Sequence, residues 1–454
     1  DMEFGSWTDG LTEGTSNAYD NYWLANSYLK GIKEGIYTDK ELNEKVRRVL
    51  RLTFRTAMNN DRPWGSMVSD AHKTACRKIG EEGIVLLQNN ANLLPINLSK
   101  VKRIAVIGEN AIKMMTVGGG SSSLKVKYEV TPLEGLKKRI GEQAEIIYAR
   151  GYVGDPTGEY NGVKTGQNLK DDRSPKELRT EALQVASNAD IVLFIGGLNN
   201  SEYQDCEGTD RKTMDLPYNQ NELIMDLLQV NKKLVVINIS GTGVAMPWKN
   251  HVSTILQAWY LGSETGNALA SILMGDVNPS GKLPYTYYAC LNQCGAHKLG
   301  EYPGHKGMDV LGNKVYDIPY NEGLFVGYRF IDKNKLKPNF PFGHGLSYTT
   351  FEYGKAKVNS KAIEKSEKLY ITIPITNTGN RAGAEVVQLY IKCLNSSVIR
   401  PIKELKRFCK VELQPNETKE ISFTITAEEL SFFDEKQHKW IAEPGKFEAL
   451  MASS

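Results

Sequence analysis

Short apolar strands alternate with helices between residues 104 and 274, and this alternation constrains the fold more than any other feature of the chain. Helical stretches are expected around 132–140, 176–187, 218–230 and 264–274. The strands between them are Ile104–Ile107, Glu145–Tyr148, Ile191–Ile195, Leu234–Asn238 and Thr254–Ala258. Strands that are apolar on both faces and joined by helices form parallel sheets covered on both sides. The pattern predicts an α/β/α sandwich with a mostly parallel sheet over residues 61–290.

The N-terminal region reads as helical over residues 20–58, with a further helix over residues 70–87. Thr38 and Glu41 have the spacing of a capping box, in which each side chain satisfies the backbone N–H of the other. The apolar side chains that follow form one stripe, which predicts a core-facing side of the helix. The stripe consists of Leu42, Val46, Val49 and Leu50.

The C-terminal region changes to a period of two from about residue 350. Segments 368–373, 385–391 and 420–425 alternate apolar with polar residues, and turn residues separate them. Such punctuation predicts an all-β sandwich over residues 349–454. Residues 291–348 have little periodicity, and so long a connection between domains favours a packed functional segment.

Composition and length exclude several classes of protein. A chain of 454 residues is too long for one core, so several domains are expected. The net charge of +3 gives no basic face for nucleic acid. No apolar run reaches the ~18–20 residues that span a bilayer. The start, Asp1-Met2-Glu3-Phe4, lacks the regions of a signal peptide, so we expect the sequence to begin inside a longer protein.

The six cysteines are too few for a disulfide framework. Cys290 and Cys294 are close enough in sequence for a local disulfide or half a metal site. No second Cys/His pair with zinc spacing accompanies them, which argues against a metal.

An acidic loop follows the strand at 191–195 and is the strongest functional signal. Four carboxylates lie within nine positions, at Glu202, Asp205, Glu207 and Asp210. Open α/β sheets bind ligands at the carboxyl ends of their strands. Like charges raise one another's pKa, as a general acid at neutral pH requires. A solvated acidic loop with Arg211 as its partner is the alternative.

Other catalytic patterns are incomplete. Gly118-Gly119-Gly120 and Ser240-Gly241-Thr242-Gly243 match neither the P-loop nor the dinucleotide pattern, so these glycines are expected to permit close backbone approach. No Gly-x-Ser-x-Gly elbow is present. His344 is interpreted as a structural histidine capping a turn.

Several motifs together resemble glycoside hydrolase family 3, in family order across nearly the whole chain. These motifs are Gly83-Ile84-Val85-Leu86-Leu87-Gln88-Asn89-Asn90 with Leu93-Leu94-Pro95, the Gly118–Gly120 run with Val130-Thr131-Pro132-Leu133, Glu207-Gly208-Thr209-Asp210-Arg211 with Leu216-Pro217 and Gln220, Asn278-Pro279-Ser280-Gly281-Lys282-Leu283-Pro284, Tyr320-Asn321-Glu322-Gly323 with Gly327-Tyr328-Arg329, and Phe340 to Tyr348. The chain departs from the family pattern within Trp259–Gly266, where Leu261, Ser263 and Thr265 stand in place of the family's usual proline, glutamine and second glycine.

The resemblance implies a (β/α)₈ barrel, an α/β sandwich and a fibronectin type III-like domain, in that order. Asp1-Met2-Glu3 resembles a segment near the end of the barrel, so residues 1–60 would be the barrel's C-terminal tail. The family's nucleophile is an aspartate on an earlier barrel strand and is expected upstream of Asp1.

The resemblance also implies a retaining, exo-acting β-glycosidase, in the first instance a β-glucosidase. Glu207 matches the general acid/base, with Glu202 as a second candidate because the loop varies in length. Asp1, Asp210 and Arg211 are the candidate substrate-binding residues. No metal or organic cofactor is expected. A β-xylosidase of the same family and a non-catalytic carbohydrate-binding fragment are the alternatives.

The partners that the resemblance implies are an oligosaccharide or aryl glycoside as substrate and the N-terminal barrel portion, on the same or a separate chain. Neither nucleic acid nor a membrane is expected as a partner, and a homo-oligomer is left open. A periplasmic or secreted location is expected from the family.

Overall fold

The computed structural model describes residues 23–116, 119, 120, 122, 124–154, 159, 160, 163, 164, 167–308, 314–364 and 367–453. The chain divides into two compact units, residues 1–67 and residues 68–454. The described elements of the first unit are a π-helical turn (Trp23–Ser27), α1 (Tyr28–Lys33) and α2 (Asp39–Arg55).

Helix α2 begins with the predicted capping box. The backbone N–H of Glu41 donates to Thr38 Oγ1 at 3.2 Å, and that of Thr38 donates to Glu41 Oε2 at 2.8 Å. The prediction that its apolar stripe is a core face is wrong for the described structure, because α2 has no buried residue. Val46, Val49 and Leu50 of this stripe are 45%, 36% and 45% exposed. Amphipathic periodicity identifies a face that favours burial, but it does not supply the surface that buries it.

The second unit begins with an α/β domain. Its elements in chain order are α3 (Asp70–Gly83), β1 (Val85–Asn89), β2 (Arg103–Ile107), α4 (Pro132–Ile140), β3 (Glu145–Ala149), β4 (Glu159–Tyr160), β5 (Val163–Lys164), α5 (Pro175–Ser187), β6 (Ile191–Gly197), α6 (Gln220–Val230), β7 (Leu234–Ile239), β8 (Thr254–Gln257) and α7 (Thr265–Met274). Single 3₁₀ turns occur at Glu109–Ala111, Gly141–Gln143 and Gly262–Glu264.

Six strands form the central sheet in the order β1-β8-β7-β6-β2-β3. All neighbours are parallel except β1, which runs antiparallel to β8. After the edge strand β1, the chain forms β2, adds β3 on one side of it and then β6 on the other, so β2 and β6 flank the topological switch point. Helices α5 and α6 pack on one face, and α4 and α7 pack on the other. The predicted parallel α/β sheet is thereby confirmed.

One strand of this sheet was predicted as helix. The helix expected over residues 70–87 ends at Gly83, and the chain continues as the edge strand β1. The run from Ile84 to Leu87 is fully buried, so it has no polar side to show a period of either 2 or 3.6. The sequence pattern alone cannot separate a buried helix from a buried strand over so few residues.

The connecting segment and the C-terminal domain complete the second unit. Their elements in chain order are a 3₁₀ turn (Leu291–Gln293), α8 (Gly295–Lys298), β9 (His305–Met308), β10 (Lys314–Asp317), α9 (Tyr328–Lys333), β11 (Phe351–Tyr353), β12 (Lys357–Val358), β13 (Leu369–Asn377), β14 (Gly383–Cys393), β15 (Glu404–Leu413), β16 (Thr418–Ile425), α10 (Ala427–Leu430), β17 (Phe432–Asp434), β18 (Lys439–Ile441) and β19 (Phe447–Ala452).

The C-terminal domain is the predicted β-sandwich. One sheet has β13 paired with β11, β12 and β16, and the other has the order β15-β14-β19. Inward positions alternate along the strands, as at Ile371, Ile373 and Ile375, and these pack against Val387 and Leu389 of the opposite sheet. The period of two in the sequence is therefore the alternation between core and solvent.

The connecting segment packs along the edge of the central sheet. The backbone N–H of Leu346 donates to the Leu86 carbonyl of β1 at 2.8 Å. His344 Nε2 donates to the next carbonyl, that of Leu87, also at 2.8 Å. Burial lowers the pKa of His344, which favours the neutral ring. His344 thus has a structural place, bonded to β1.

No helix among the described residues is long and apolar enough to cross a membrane. All six cysteines are free thiols, including Cys290 and Cys294. The described residues contain no cluster of three or more His, Cys, Asp or Glu side chains that could hold a metal ion.

Helices α4 and α7 approach so closely at Gly266 that a side chain there has no space. A Cβ on Gly266 would collide with the carbonyl oxygens of Val130 and Thr131. Backbone cannot move aside as a side chain can, so Gly266→Ala is expected to destabilise the domain by about 1–3 kcal/mol. Urea unfolding followed by circular dichroism measures this loss. Gly83→Ala is the control, since its Cβ would meet nothing nearer than 3.9 Å; equal midpoints for the two variants would contradict the packing argument.

Candidate active site

The acidic loop of residues 198–211 leaves the carboxyl end of β6, beside the switch point of the sheet. Its first residue, Leu198, is bonded on both sides. Its N–H donates to the Ile239 carbonyl at 2.9 Å, and its carbonyl accepts from Asn110 Nδ2 at 3.0 Å. The loop therefore starts from a fixed point where α/β sheets of this topology bind ligands.

Asn199 and Gln204 shape the first half of the loop. Asn199 is buried, and its side-chain oxygen accepts the N–H of Ser201 at 2.8 Å while its carbonyl accepts the N–H of Asp205 at 3.0 Å. Gln204 Oε1 accepts the N–H of Asn199 at 3.0 Å. An asparagine side chain that imitates a backbone turn is a common device in loops. These bonds set the direction in which Asp205 enters the site.

The Asp205 carboxylate joins the acidic loop to the loops that follow β7 and β8. Its Oδ2 accepts from the N–H of Gly241 at 2.6 Å and from the hydroxyl of Tyr260 at 2.9 Å. Its Oδ1 accepts from Thr242 Oγ1 at 2.5 Å. Burial, followed by the Asp205 charge and hydrogen bond, raises the pKa of the Tyr260 phenol well above its ordinary value. Tyr260 therefore stays protonated as a donor.

Arg211 attaches the C-terminal end of the acidic loop to the loop that follows β7. Its Nη2 donates to the Gly243 carbonyl at 2.6 Å and to Thr242 Oγ1 at 3.2 Å. Its Nη1 is buried and makes no hydrogen bond within the described structure. The glycine-rich stretch 240–243, which matches no phosphate-binding pattern, thus receives two side chains of the acidic loop.

Glu207 occupies the tip of a tight turn between these two attachments. Cys206 and Thr209 form an antiparallel bridge, so Glu207 and Gly208 are the two central residues of the turn. Gly208 has φ of +83°, the conformation that a type II turn requires at its third position. The N–H of Glu207 donates to the Gly119 carbonyl at 2.5 Å, and its side chain is exposed.

The glycine run near residue 120 makes room for Glu207. Gly120 has φ of +143°, and a Cβ there would collide with the Cβ and Oε2 of Glu207. A Cβ on Gly119 would collide with the backbone of Asp205 and Asn200. The glycines were expected to permit close backbone approach, and the segment that approaches them is the acidic loop.

The carboxylates of the loop are separated by their surroundings and do not form one cluster. Glu202 is exposed in an earlier turn and makes no hydrogen bond or ion pair with any described residue. Asp210 accepts a hydrogen bond from the hydroxyl of Tyr302 in the connecting segment. Asp1 lies outside the described residues. Glu207 lies in the turn and Asp210 directly after it, while Arg211 and Asp205 both bond to residues 241–243.

A buried ionic network lies on the other side of the switch point. Glu109, in the 3₁₀ turn that follows β2, accepts from Arg150 Nη2 at 2.7 Å and from the N–H of Gly154 at 2.6 Å. Arg150 also approaches Asp171 at 3.5 Å. A buried charge requires a partner of this kind, so the network is interpreted as structural. Sequence reasoning did not identify it, because its members come from separate parts of the chain.

Aromatic side chains support the attachment of Asp205. Tyr285 donates to the Gly241 carbonyl at 3.3 Å and lies edge-on to Trp259, with ring centroids 5.8 Å apart. Burial raises the pKa of Tyr285 to about 12. Sequence reasoning missed Tyr260 and Tyr285. The available signal was the pair Trp259-Tyr260 directly after the last strand, in the segment that departs from the family pattern.

Two models of known protein families match the chain. The model of the glycosyl hydrolase family 3 C-terminal domain matches residues 84–348, and that of the fibronectin type III-like domain matches residues 385–454. The first match covers more than half of the chain. The chain therefore belongs to glycoside hydrolase family 3, as its motifs predicted.

Relatives and solved structures agree with this assignment. The chain is 46% identical to the β-glucosidase BoGH3A of Bacteroides ovatus, over 100% of the chain and 60% of that protein. It is 35% identical to a β-xylosidase of Formosa agariphila, over 96% of the chain and 57% of that protein. The crystal structure of a Bifidobacterium adolescentis family 3 β-glucosidase matches with a TM-score of 0.80 at 30% identity, covering 95% of the chain and 59% of that structure. The chain thus spans about 60% or less of the length of these relatives.

Tyr260→Phe is expected to loosen the acidic loop, because Asp205 loses one of its donors while remaining in place. An incompletely bonded carboxylate of this kind costs about 1–3 kcal/mol. Hydrogen exchange of the peptide spanning residues 199–211 measures the loosening, and faster exchange is the expected result.

Tyr203→Phe is the matched control, since Tyr203 lies in the same loop and its exposed hydroxyl has no hydrogen-bond partner among the described residues. Equal exchange in the two variants would show that the Tyr260 hydroxyl does not hold the loop.

Proposed function

We propose that this chain supplies the general acid/base of a retaining, exo-acting β-glycosidase, and that Glu207 is that residue. The observation that carries the proposal is the tight turn at Glu207. The turn presents an exposed carboxylate at the carboxyl ends of the parallel strands, while Asp205 before the turn and Arg211 after it fix the loop. A general acid must be held at a defined position relative to the bond that it protonates.

The proposed mechanism uses two carboxyl groups. Glu207 protonates the leaving oxygen while an aspartate attacks the anomeric carbon, and Glu207 then deprotonates the water that releases the sugar. Retention requires the two carboxyl groups to lie about 5–5.5 Å apart. We assign the aspartate to an N-terminal barrel, which the family places before the segment matched here.

The exposed stripe on α2 supports this division of the active site. We propose that residues 1–60 are the C-terminal tail of the barrel, whose remaining elements would cover Val46 and Leu50 of this stripe. The chain spans 60% of BoGH3A, which leaves length in such relatives for a further domain. Accordingly, the 454 residues alone are expected to show no turnover.

Asp210 and Arg211 have a different proposed role from the sugar contacts expected of them. Both side chains bond to protein groups, Asp210 to Tyr302 and Arg211 to Gly243. We assign them to holding the turn rather than to direct contact with substrate. Glu202 remains the second candidate for the acid/base because it is also exposed.

The proposed substrate is a terminal, non-reducing β-D-glucosyl residue of an oligosaccharide or aryl glycoside. The β-glucosidases of Bacteroides ovatus and Acetivibrio thermocellus and a periplasmic β-glucosidase of Salmonella typhimurium, the last at 35% identity, support this substrate. That relative also supports a periplasmic or secreted location. A β-xylosidase at the same 35% identity makes xylosides the second candidate substrates.

Glu207→Ala in the complete enzyme is expected to lower kcat/KM for cellobiose by about 10²–10⁴-fold, the usual contribution of a general acid. The loss should be smaller for 2,4-dinitrophenyl β-glucoside, whose leaving group needs no proton. Azide should restore turnover of that substrate by attacking the glycosyl-enzyme without a general base.

Glu202→Ala is the matched control, because Glu202 is a glutamate of the same loop with an exposed side chain. Near-normal hydrolysis of cellobiose by Glu207→Ala, with loss of hydrolysis in Glu202→Ala, would transfer the assignment to Glu202. Normal hydrolysis by both variants would exclude the proposed function of this loop.

The ratio of kcat/KM for 4-nitrophenyl β-glucoside and β-xyloside in the complete enzyme decides between the two substrates. A glucosidase is expected to prefer the glucoside by about tenfold or more, because the C6 hydroxymethyl group adds contacts in the pocket. A preference for the xyloside would make the β-xylosidase assignment the correct one.

A further inference from the structure

The hairpin formed by β9 and β10 is joined to the acidic loop by one side chain. Tyr302, three residues before β9, donates its hydroxyl to Asp210, three residues after Glu207. Consecutive Cα atoms are about 3.8 Å apart, so the first residue of β9 lies within about 11 Å of the Tyr302 Cα, and Glu207 lies within about 11 Å of the Asp210 Cα. The bridge between Cys206 and Thr209 folds Asp210 back toward the start of the turn.

The base of the hairpin is fixed by further contacts. Buried Glu301 accepts the N–H of Asn321 at 3.2 Å, which joins the segments before and after the hairpin. The ring of Tyr302 lies edge-on to His297, with centroids 5.4 Å apart. A Cβ on Gly304 would lie 2.8 Å from the Asp317 carbonyl oxygen. The direction of the hairpin is thus set at its base, next to the acidic loop.

One face of the hairpin has the composition of a ring-binding surface. Register pairs Lys314 with Met308 and Tyr316 with Lys306, so these four side chains lie on the same face. Met308 and Tyr316 are 75% and 56% exposed, and both lysines are exposed. An aromatic ring and a thioether offer apolar contact to the face of a sugar or aryl ring, while ammonium groups donate to its hydroxyl or ether oxygens.

We propose that this face binds the leaving group of the glycoside, a neutral sugar or an aryl ring, and that Tyr302 positions the hairpin beside Glu207 through Asp210. The inference rests on the proposed function. A general acid protonates the oxygen of the leaving group, so that group lies on the side of the acid's loop. The hairpin is attached to that loop, and its exposed face carries the chemistry that a ring requires.

The test compares a leaving group that has a ring with one that has none. The substrates are cellobiose and β-glucosyl fluoride, and the variants Tyr316→Ala and Tyr302→Phe are made in the complete enzyme. Tyr316→Ala is expected to lower the ratio of kcat/KM for cellobiose over the fluoride by about tenfold. Tyr302→Phe should lower the same ratio and shift the alkaline limb of the pH profile for cellobiose, since the acid is less firmly placed.

Tyr370→Ala is the control, because Tyr370 is a comparably exposed tyrosine on β13 of the sandwich, 43% exposed. Its ratio should equal that of the unchanged enzyme. Equal ratios in Tyr316→Ala and Tyr370→Ala would overturn the inference, as would a uniform loss on both substrates. The proposed function fails separately, if Glu207→Ala and Glu202→Ala both hydrolyse cellobiose normally.

Discussion

The three hydrogen bonds that converge on Asp205 are the interaction on which the site depends. They join the loop after β6 to the loops after β7 and β8, so three neighbouring strands determine the position of one turn. Asp205 is half-buried, and hydrogen-bond donors replace the water that its carboxyl group loses there. The acidic residues of the loop are thereby specialised: Asp205 points inward as an anchor, and Glu207 stays exposed at the tip.

Local patterns predicted the parts of the fold whose environment is regular. Period and apolar runs predicted the parallel strands and the sandwich, and Thr38 with Glu41 predicted a cap that forms. The same reasoning misassigned β1, because a strand buried on both faces has no period. It also placed the stripe of α2 in a core, because periodicity states what a helix needs and not what the described chain supplies.

The candidate site was predictable to the extent that it is local. Glu207 and Gly208 lie within the motif Glu207–Arg211, and Gly208 has the positive φ that glycine adopts without strain at the third position of a type II turn. The residues that hold the turn are remote: Gly241 and Tyr260 lie 36 and 55 positions from Asp205, and Tyr302 lies 92 positions from Asp210. No periodicity or motif spacing links positions so far apart. They meet only when the sheet folds and brings the carboxyl ends of its strands together.

The connecting segment has a consequence for how this protein behaves in a crowded solution. Strand β1 is one of the two outer strands of the sheet, and open strand edges are templates for pairing with other chains. Two successive carbonyls of β1 are already occupied, that of Leu86 by the Leu346 N–H and that of Leu87 by His344. A foreign strand would have to displace these bonds before it could add to the sheet. The segment between the two domains therefore also protects this edge of the sheet from pairing with another chain.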